Sequence, residues 1–147
     1  MKLTLLRTGD LETLSKWFVN ESEVRQWAGP NVSYPVLAKN LFVEIDLESN
    51  RSFSLVENDE LIGFGQLSLF ENYDHLCRIV IRPDLRGRGF GKELVKQLML
   101  QTNRGKGFSL FVDRRNGSAI QLYRSFDFRI STHPNANFED CLFMVKD

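Results

Sequence analysis

Cysteine is scarce in this chain, net charge is absent, and no long apolar run occurs. The two cysteines, Cys77 and Cys141, stand far apart in strand-like apolar stretches. They can form neither a disulfide framework nor a four-ligand metal site, so two core thiols in a reducing cytosol are expected, with no metal. Nineteen Lys plus Arg balance nineteen Asp plus Glu, so no overall field draws nucleic acid or an anionic membrane. Any anion site must be local. No uncharged apolar run approaches the ~18 residues of a membrane span. Lys2, Arg7 and Asp10 also bound the apolar start too closely for a signal peptide. A cytoplasmic protein with no nucleic-acid or membrane partner is expected. Internal repeats and low-complexity segments are missing too.

What is present suits one globular domain over residues 1–147, since 42% of the residues are hydrophobic and 26% charged. Lys2 to Arg7 reads as a strand, with a helix N-cap at Gly9-Asp10 and Leu11, Leu14 and Phe18 at helical spacing. Ser22 can cap a short helix through Trp27, which Gly29-Pro30 stops. Pro35 suits the first turn of another, with Leu37, Leu41, Ile45 and Val43 or Leu47 as its buried stripe. Ser52 to Glu57 and Leu61 to Phe70 form an antiparallel hairpin around Asn58-Asp59-Glu60.

His75 to Arg82 is the next strand, and strict alternation puts Leu76, Arg78, Val80 and Arg82 on one face and Cys77, Ile79 and Ile81 on the other. Phe90 to about Thr102 is an amphipathic helix, Phe108 to Val112 a strand, and Asn116 caps a helix carrying Ala119, Ile120, Tyr123 and Phe126. Phe128 to Ser131 and Cys141 to Val145 complete the sheet. The order predicts an α/β (α+β) fold with a mixed, mostly antiparallel sheet of about seven strands flanked by about four helices.

Between strand and helix lies Arg86-Gly87-Arg88-Gly89-Phe90-Gly91. Glycines let the backbone turn sharply and approach a ligand. Free N–H groups there, with the positive end of the following helix, form a concave anion site. Arg78, Arg82, Arg86, Arg88 and Lys92 against Asp84 concentrate basic charge around this one turn. A Walker P-loop is excluded by spacing: three residues separate Gly87 from Gly91, and Lys92 is followed by Glu93. A dinucleotide fold has a ribose-binding acid at Asp113, but Lys92 stands where close helix packing needs Gly or Ala. A glycine-rich helix entry without a ligand is the bland alternative.

The stretch from Cys77 through Leu94 resembles the acetyl-coenzyme A motif of the GNAT superfamily of N-acetyltransferases, with Arg86, Gly89 and Gly91 filling its Arg/Gln-x-x-Gly-x-Gly/Ala pattern. Phe111 to Phe128 is similar to the family's next motif, with Asn116, Ala119, Ile120, Tyr123 and Phe128 in register. The detailed resemblance covers about Leu61 to Phe128.

The resemblance implies that the fourth and fifth strands splay to admit the pantetheine arm of acetyl-coenzyme A. Backbone groups of Ile79, Val80 and Ile81 would bind that arm. The pyrophosphate would rest on Arg86, Gly87, Arg88, Gly89, Phe90, Gly91 and Lys92, near Asn116. Acetyl transfer to a primary amine needs a neutral amine and a proton for the departing thiolate. Tyr123 matches the family's general acid. Relatives acting on a ribosomal-protein N-terminus carry Glu where this chain has Phe111, so their base does not transfer; Glu71, Asp74 and His75 are the alternatives. Asp127 replaces a usual Gly, and Asp tolerates the left-handed backbone such a turn needs.

An acceptor pocket is expected from the front half, where Trp17, Trp27, Tyr34 and Phe42 accompany Glu21, Glu23 and Glu44. Packing of Trp17 and Phe42 in the core, with solvated glutamates, is the competing expectation. His133 is read as a loop residue. Relatives are often dimers, which makes a homodimer one expectation. A coenzyme-binding module without turnover remains the alternative function.

Overall fold

The computed structural model describes residues 1–102, 106–136 and 138–147. Seven strands and five α-helices occur among them: β1 (Lys2–Leu5), α1 (Asp10–Ser15), α2 (Glu21–Ala28), α3 (Ala38–Glu44), β2 (Arg51–Glu57), β3 (Glu60–Phe70), β4 (Tyr73–Ile81), α4 (Phe90–Met99), β5 (Phe108–Asp113), α5 (Gly117–Ser125), β6 (Arg129–Ser131) and β7 (Cys141–Lys146). The strands form one sheet in the order β1-β2-β3-β4-β5-β7-β6. All neighbours are antiparallel except β4 and β5. No helix among the described residues is long and apolar enough to cross a membrane.

Each face of the sheet carries its own apolar layer. Leu14, Trp17, Val24, Trp27, Leu41 and Ile45 from α1 to α3 pack with Leu61, Phe64 and Val80. Leu94, Val95 and Leu98 of α4 and Tyr123 of α5 pack on the opposite face with Leu55, Leu76, Ile81, Leu110 and Met144. The 3- and 4-residue spacing of the α4 leucines and valine turns all three toward the sheet. The β2–β3 hairpin closes tightly, because Asn58 and Asp59 both take positive φ (51° and 63°) and Glu57 pairs with Glu60. That is the two-residue turn whose twist suits a hairpin.

Several sequence expectations are corrected. Asn20, not Ser22, caps α2: its side chain accepts from the Glu23 N–H at 2.9 Å. Pro35 lies before α3 rather than in its first turn, and Leu37 and Val43 are exposed, so only Leu41 and Ile45 of the expected stripe are fully buried. Helix α4 ends at Met99, short of Thr102. Phe42 is exposed, while Trp17 is core.

The correction that matters most is in β4. Phe64 pairs with Val80 but Gln66 with Cys77, so two residues of β4 oppose Gly65. Arg78 takes φ 51° there. This is a β-bulge, which slips the alternation by one. Leu76 therefore shares its face with Ile79 and Ile81, the α4–α5 side, instead of with Arg78 and Val80.

Candidate functional site

β4 and β5 pair only from Asp74–Phe108 through His75–Ser109 to Leu76–Leu110. Beyond Leu76 the two strands continue to Ile81 and Asp113 without pairing, and a wedge opens between them. A cleft of about 600 Å³ fills it, walled by β4 residues 76–81, β5 residues 111–113, the loop before α4, the start of α5, and Glu23, Gln26 and Trp27 of α2.

The β4 wall offers main-chain groups. The Arg82 N–H donates to the Ile62 carbonyl at 2.9 Å, so in this antiparallel pairing Val80 also turns its backbone toward β3, while Ile79 and Ile81 turn theirs away from it and into the wedge. The Val80 carbonyl accordingly lies only 3.3 Å from where a Cβ on Gly63 would sit. Of the three backbone positions expected to bind a ligand, Ile79 and Ile81 face the cleft. Val80 also lines the cleft, but its main-chain groups belong to the β3 ladder.

The mouth of the wedge is the glycine loop. Gly87 and Gly89 have φ of 77° and 88°, and nothing lies within 4 Å of a Cβ built on either. Gly89 caps α4 without a side chain. The first intrahelical bond runs from the Glu93 N–H to the Gly89 carbonyl, which leaves the N–H groups of Phe90, Gly91 and Lys92 as unspent donors at the positive helix end. The local basic surplus is smaller than the sequence suggests. Arg82 is held by Asp84 (2.7 Å) and Glu60 (3.3 Å), and Arg86 reaches Glu23 at 3.6 Å. An anion at this turn would therefore meet mainly backbone donors, with Arg88 and Lys92 forming no ion pair among the described residues.

Across the wedge, Asn116 Oδ1 accepts from the Ala119 N–H at 3.2 Å and starts α5. Asp127 has φ 68°, the left-handed turn that ends it. Tyr123 projects from α5 into the cleft lining, only 7% exposed, and its hydroxyl makes no hydrogen bond among the described residues. Burial pushes its pKa up to about 12. It is a phenol held in its neutral form in the cleft lining.

The expected bases are elsewhere. Glu71 accepts from Asn135 Nδ2 at 2.8 Å on the surface, and Asp74, buried, accepts from Thr102 Oγ1 at 2.8 Å. His75 is buried against Phe70 and Phe111, with Nδ1 2.7 Å from Ser109 Oγ. None of the three lines the cleft. Phe111 does line it, and its ring belongs to an aromatic group with Phe70, Phe138 and Phe143. Of the front-half acids and aromatics, only Glu23 and Trp27 reach the cleft. Glu44 accepts from the Ser33 N–H, and Tyr34 donates to the Val19 carbonyl.

Sequence reading named Trp27 and Arg78 but missed Gln66 and the links that join the three. Trp27 Nε1 donates to the carbonyl of Arg78 at 2.8 Å, which fastens the bulge to α2, and the Arg78 side chain meets Gln66 of β3. The only signals were one charged residue in Cys-Arg-Ile-Val-Ile and one amide between Gly65 and Leu67.

Against known proteins, the model of the acetyltransferase (GNAT) family matches residues 18–128. The chain is 28% identical over 78 residues to the peptidyl-lysine N-acetyltransferase YjaB of Salmonella typhimurium, a match covering 53% of this chain and 49% of that protein. It thus spans about half the length of that curated relative. Among solved structures, the ribosomal-protein-S18-alanine N-acetyltransferase of Escherichia coli superposes with a TM-score of 0.68 at 24% identity, over 98% of this chain and 91% of the other. The PaiA N-acetyltransferase of Thermoplasma acidophilum in complex with coenzyme A gives 0.69 at 18%, over 99% and 97%. At such identities the likeness concerns the fold.

Proposed function

Because this chain belongs to the GNAT acetyltransferase family, we propose that it transfers an acetyl group from acetyl-coenzyme A to a primary amine by direct attack of the amine. The observation that carries the reading is the wedge itself: two strands that part after Leu76, with main-chain groups outside any strand ladder on one wall and the glycine loop at the mouth. Acetyl-coenzyme A would supply a thioester-activated acetyl group. The residues present fit it. Gly87 and Gly89 leave open space where side chains would stand, and the unspent N–H groups of Phe90 to Lys92 suit a pyrophosphate.

The chain's own residues then divide the work. Ile79 and the Ile81 N–H offer backbone groups along the cleft, which orient a ligand without any particular side chain, while the Ile81 carbonyl already accepts from Arg86 Nε at 3.3 Å. Tyr123 holds a proton within the cleft, and its raised pKa keeps it protonated throughout the neutral range. With no partner for its hydroxyl among the described residues, it is free to protonate a leaving thiolate. Neither carboxylate on the cleft is a free base: Glu23 faces Arg86 and Asp113 faces Arg115. An amine that arrives neutral, or loses its proton to water, meets this site best.

Two measurements test the reading. Coenzyme A should raise the melting temperature of the protein, and Gly89→Val, which forces a β-branched residue to φ 88°, should abolish the rise. Tyr123→Phe should lower kcat by up to about 10²- to 10⁴-fold with little change in the KM for acetyl-coenzyme A. An unchanged kcat removes Tyr123 as the acid. A melting shift without thiol release over a broad amine panel favours a coenzyme-binding module without turnover.

A further inference from the structure

Arg78 lines the cleft from the β4 bulge and forms no ion pair among the described residues. Its Nη1 donates to Gln66 Oε1 at 2.8 Å and lies 3.7 Å from Cys77 Sγ. Gln66 is wholly buried and its orientation is set by others: Nε2 donates to the Ile45 carbonyl at 3.0 Å and to Ser52 Oγ at 2.9 Å, so Oε1 is the end left to face the guanidinium. Among the described residues, Arg78 Nε is buried without a partner and Nη2 makes no hydrogen bond. A half-buried guanidinium that meets only neutral groups is costly unless a negative charge arrives from outside. The other charged groups in the cleft walls do not supply it, since Glu23 serves Arg86 and Asp113 serves Arg115.

Position identifies which ligand carries that charge. The glycine loop follows the far end of β4, so a pyrophosphate belongs at the mouth, where it has its own donors. Arg78 lies at the other end, two residues beyond Leu76, the last β4 residue paired with β5. Its side chain is on the Gln66 face of the sheet, opposite α4 and α5. This is the closed end of the wedge, approached from the front layer, where an acceptor meets the donor.

We infer that the acceptor is a primary amine that also bears a carboxylate, an amino-acid-like molecule whose carboxylate pairs with Arg78. With Nη1 held by Gln66, the Nε and Nη2 donors remain, and they form the parallel pair that matches a carboxylate. Nε is shielded from solvent, so presenting both requires the guanidinium to turn about its Gln66 contact. A polyamine would instead set a second cation against Arg78 and be disfavoured. The inference rests on the acetyl-transfer reading for the identity of the second ligand, but the anion site can be measured apart from turnover.

The experiment is a calorimetric titration of the full chain saturated with coenzyme A, which fills the pyrophosphate site first. The probes are L-amino acids, each beside its C-terminal amide, with spermidine as the cationic control; thiol release from acetyl-coenzyme A is followed in parallel. Free amino acids should bind about 10- to 100-fold more tightly than their amides, and more tightly than spermidine. Arg78→Gln should bring amino acid and amide to near parity and Arg78→Lys should recover only part of the preference, with a coenzyme A-induced melting shift reporting that the cleft is intact. Amides or spermidine binding as tightly as the amino acids, or no amino acid binding at all, overturns the inference, whether or not turnover is seen. Carboxylate-dependent binding without thiol release leaves the anion site standing and removes the catalytic reading instead.

Discussion

His75 lies in the middle of the β4–β5 ladder, with its ring beside Phe70 and Phe111 and its Nδ1 against Ser109 Oγ. Burial, and secondly the charge of Arg78, lower its pKa to about 4. An unfolded chain takes up this proton below ~6.5, whereas the folded protein resists it until about pH 4. The stability gained from a neutral His75 is therefore fully present above ~6.5 and declines as the pH falls toward 4. Urea unfolding across that window should show the decline, and His75→Gln should flatten it. An equal slope in the variant would sink the assignment.

Asp10 does not confuse the measurement. Burial pushes its pKa up, but hydrogen bonds from Arg7 and Ser54 outweigh this and hold it low. Its contribution is present above ~3.9 and is lost only as the pH falls through the depressed value, below the window used for His75. At this scale the sequence was partly legible. Asn116 is recognisable as a cap from its place before an apolar helical run, and Tyr123 as a site residue only through the family resemblance. That His75 is enclosed by Phe70 and Phe111 depends on partners distant in sequence, which no local pattern reports.

Helix α4 sits on β3 at two glycines. A Cβ on Gly63 would stand 3.3 Å from Leu94 Cδ2, and one on Gly65 would stand 2.8 Å from Leu98 Cδ1. Leu98 is fully buried, so it has little space into which to retreat. The glycines thus let the helix lie close to the sheet, and Gly65 is also the single residue facing the two-residue bulge of β4. Gly65→Val should cost about 1–3 kcal/mol by overpacking. It should also weaken coenzyme A binding, since pushing α4 outward moves the Phe90 to Lys92 donors at its start. Chemical denaturation together with calorimetry checks both, and a destabilised protein that binds with unchanged affinity would separate the packing role from the site. Apolar spacing made α4, β5 and α5 legible as elements. The bulge was not, because Cys-Arg-Ile-Val-Ile alternates well enough to read as regular strand, and the slip exists only in the register against β3.

At the scale of the whole molecule, the element order made the mixed sheet with helices on both faces legible, and the parting of β4 from β5 was supplied by family resemblance alone. The parting has no local signature. β4 is held by β3 and by Trp27, whereas β5 follows β7 through the full run from Phe108–Lys146 to Asp113–Cys141. Each half of the sheet keeps its own partner, and after Leu76 the two halves share no ladder.

This division makes a prediction about amide exchange. The Ile79 and Ile81 N–H groups face the wedge without a strand partner, while that of Val80 belongs to the β3 ladder. In the free protein Ile79 and Ile81 should exchange quickly for residues so deep in a sheet, and Val80 slowly. A ligand bound along the wedge at 100 times its dissociation constant adds about 2.7 kcal/mol to global stability. Its local effect should be larger at Ile79, Ile81 and the first turn of α4 than at Val80 or along β1 and β2. A uniform slowing over the sheet on addition of coenzyme A would mean that the ligand stabilises the fold without occupying the open edge of β4.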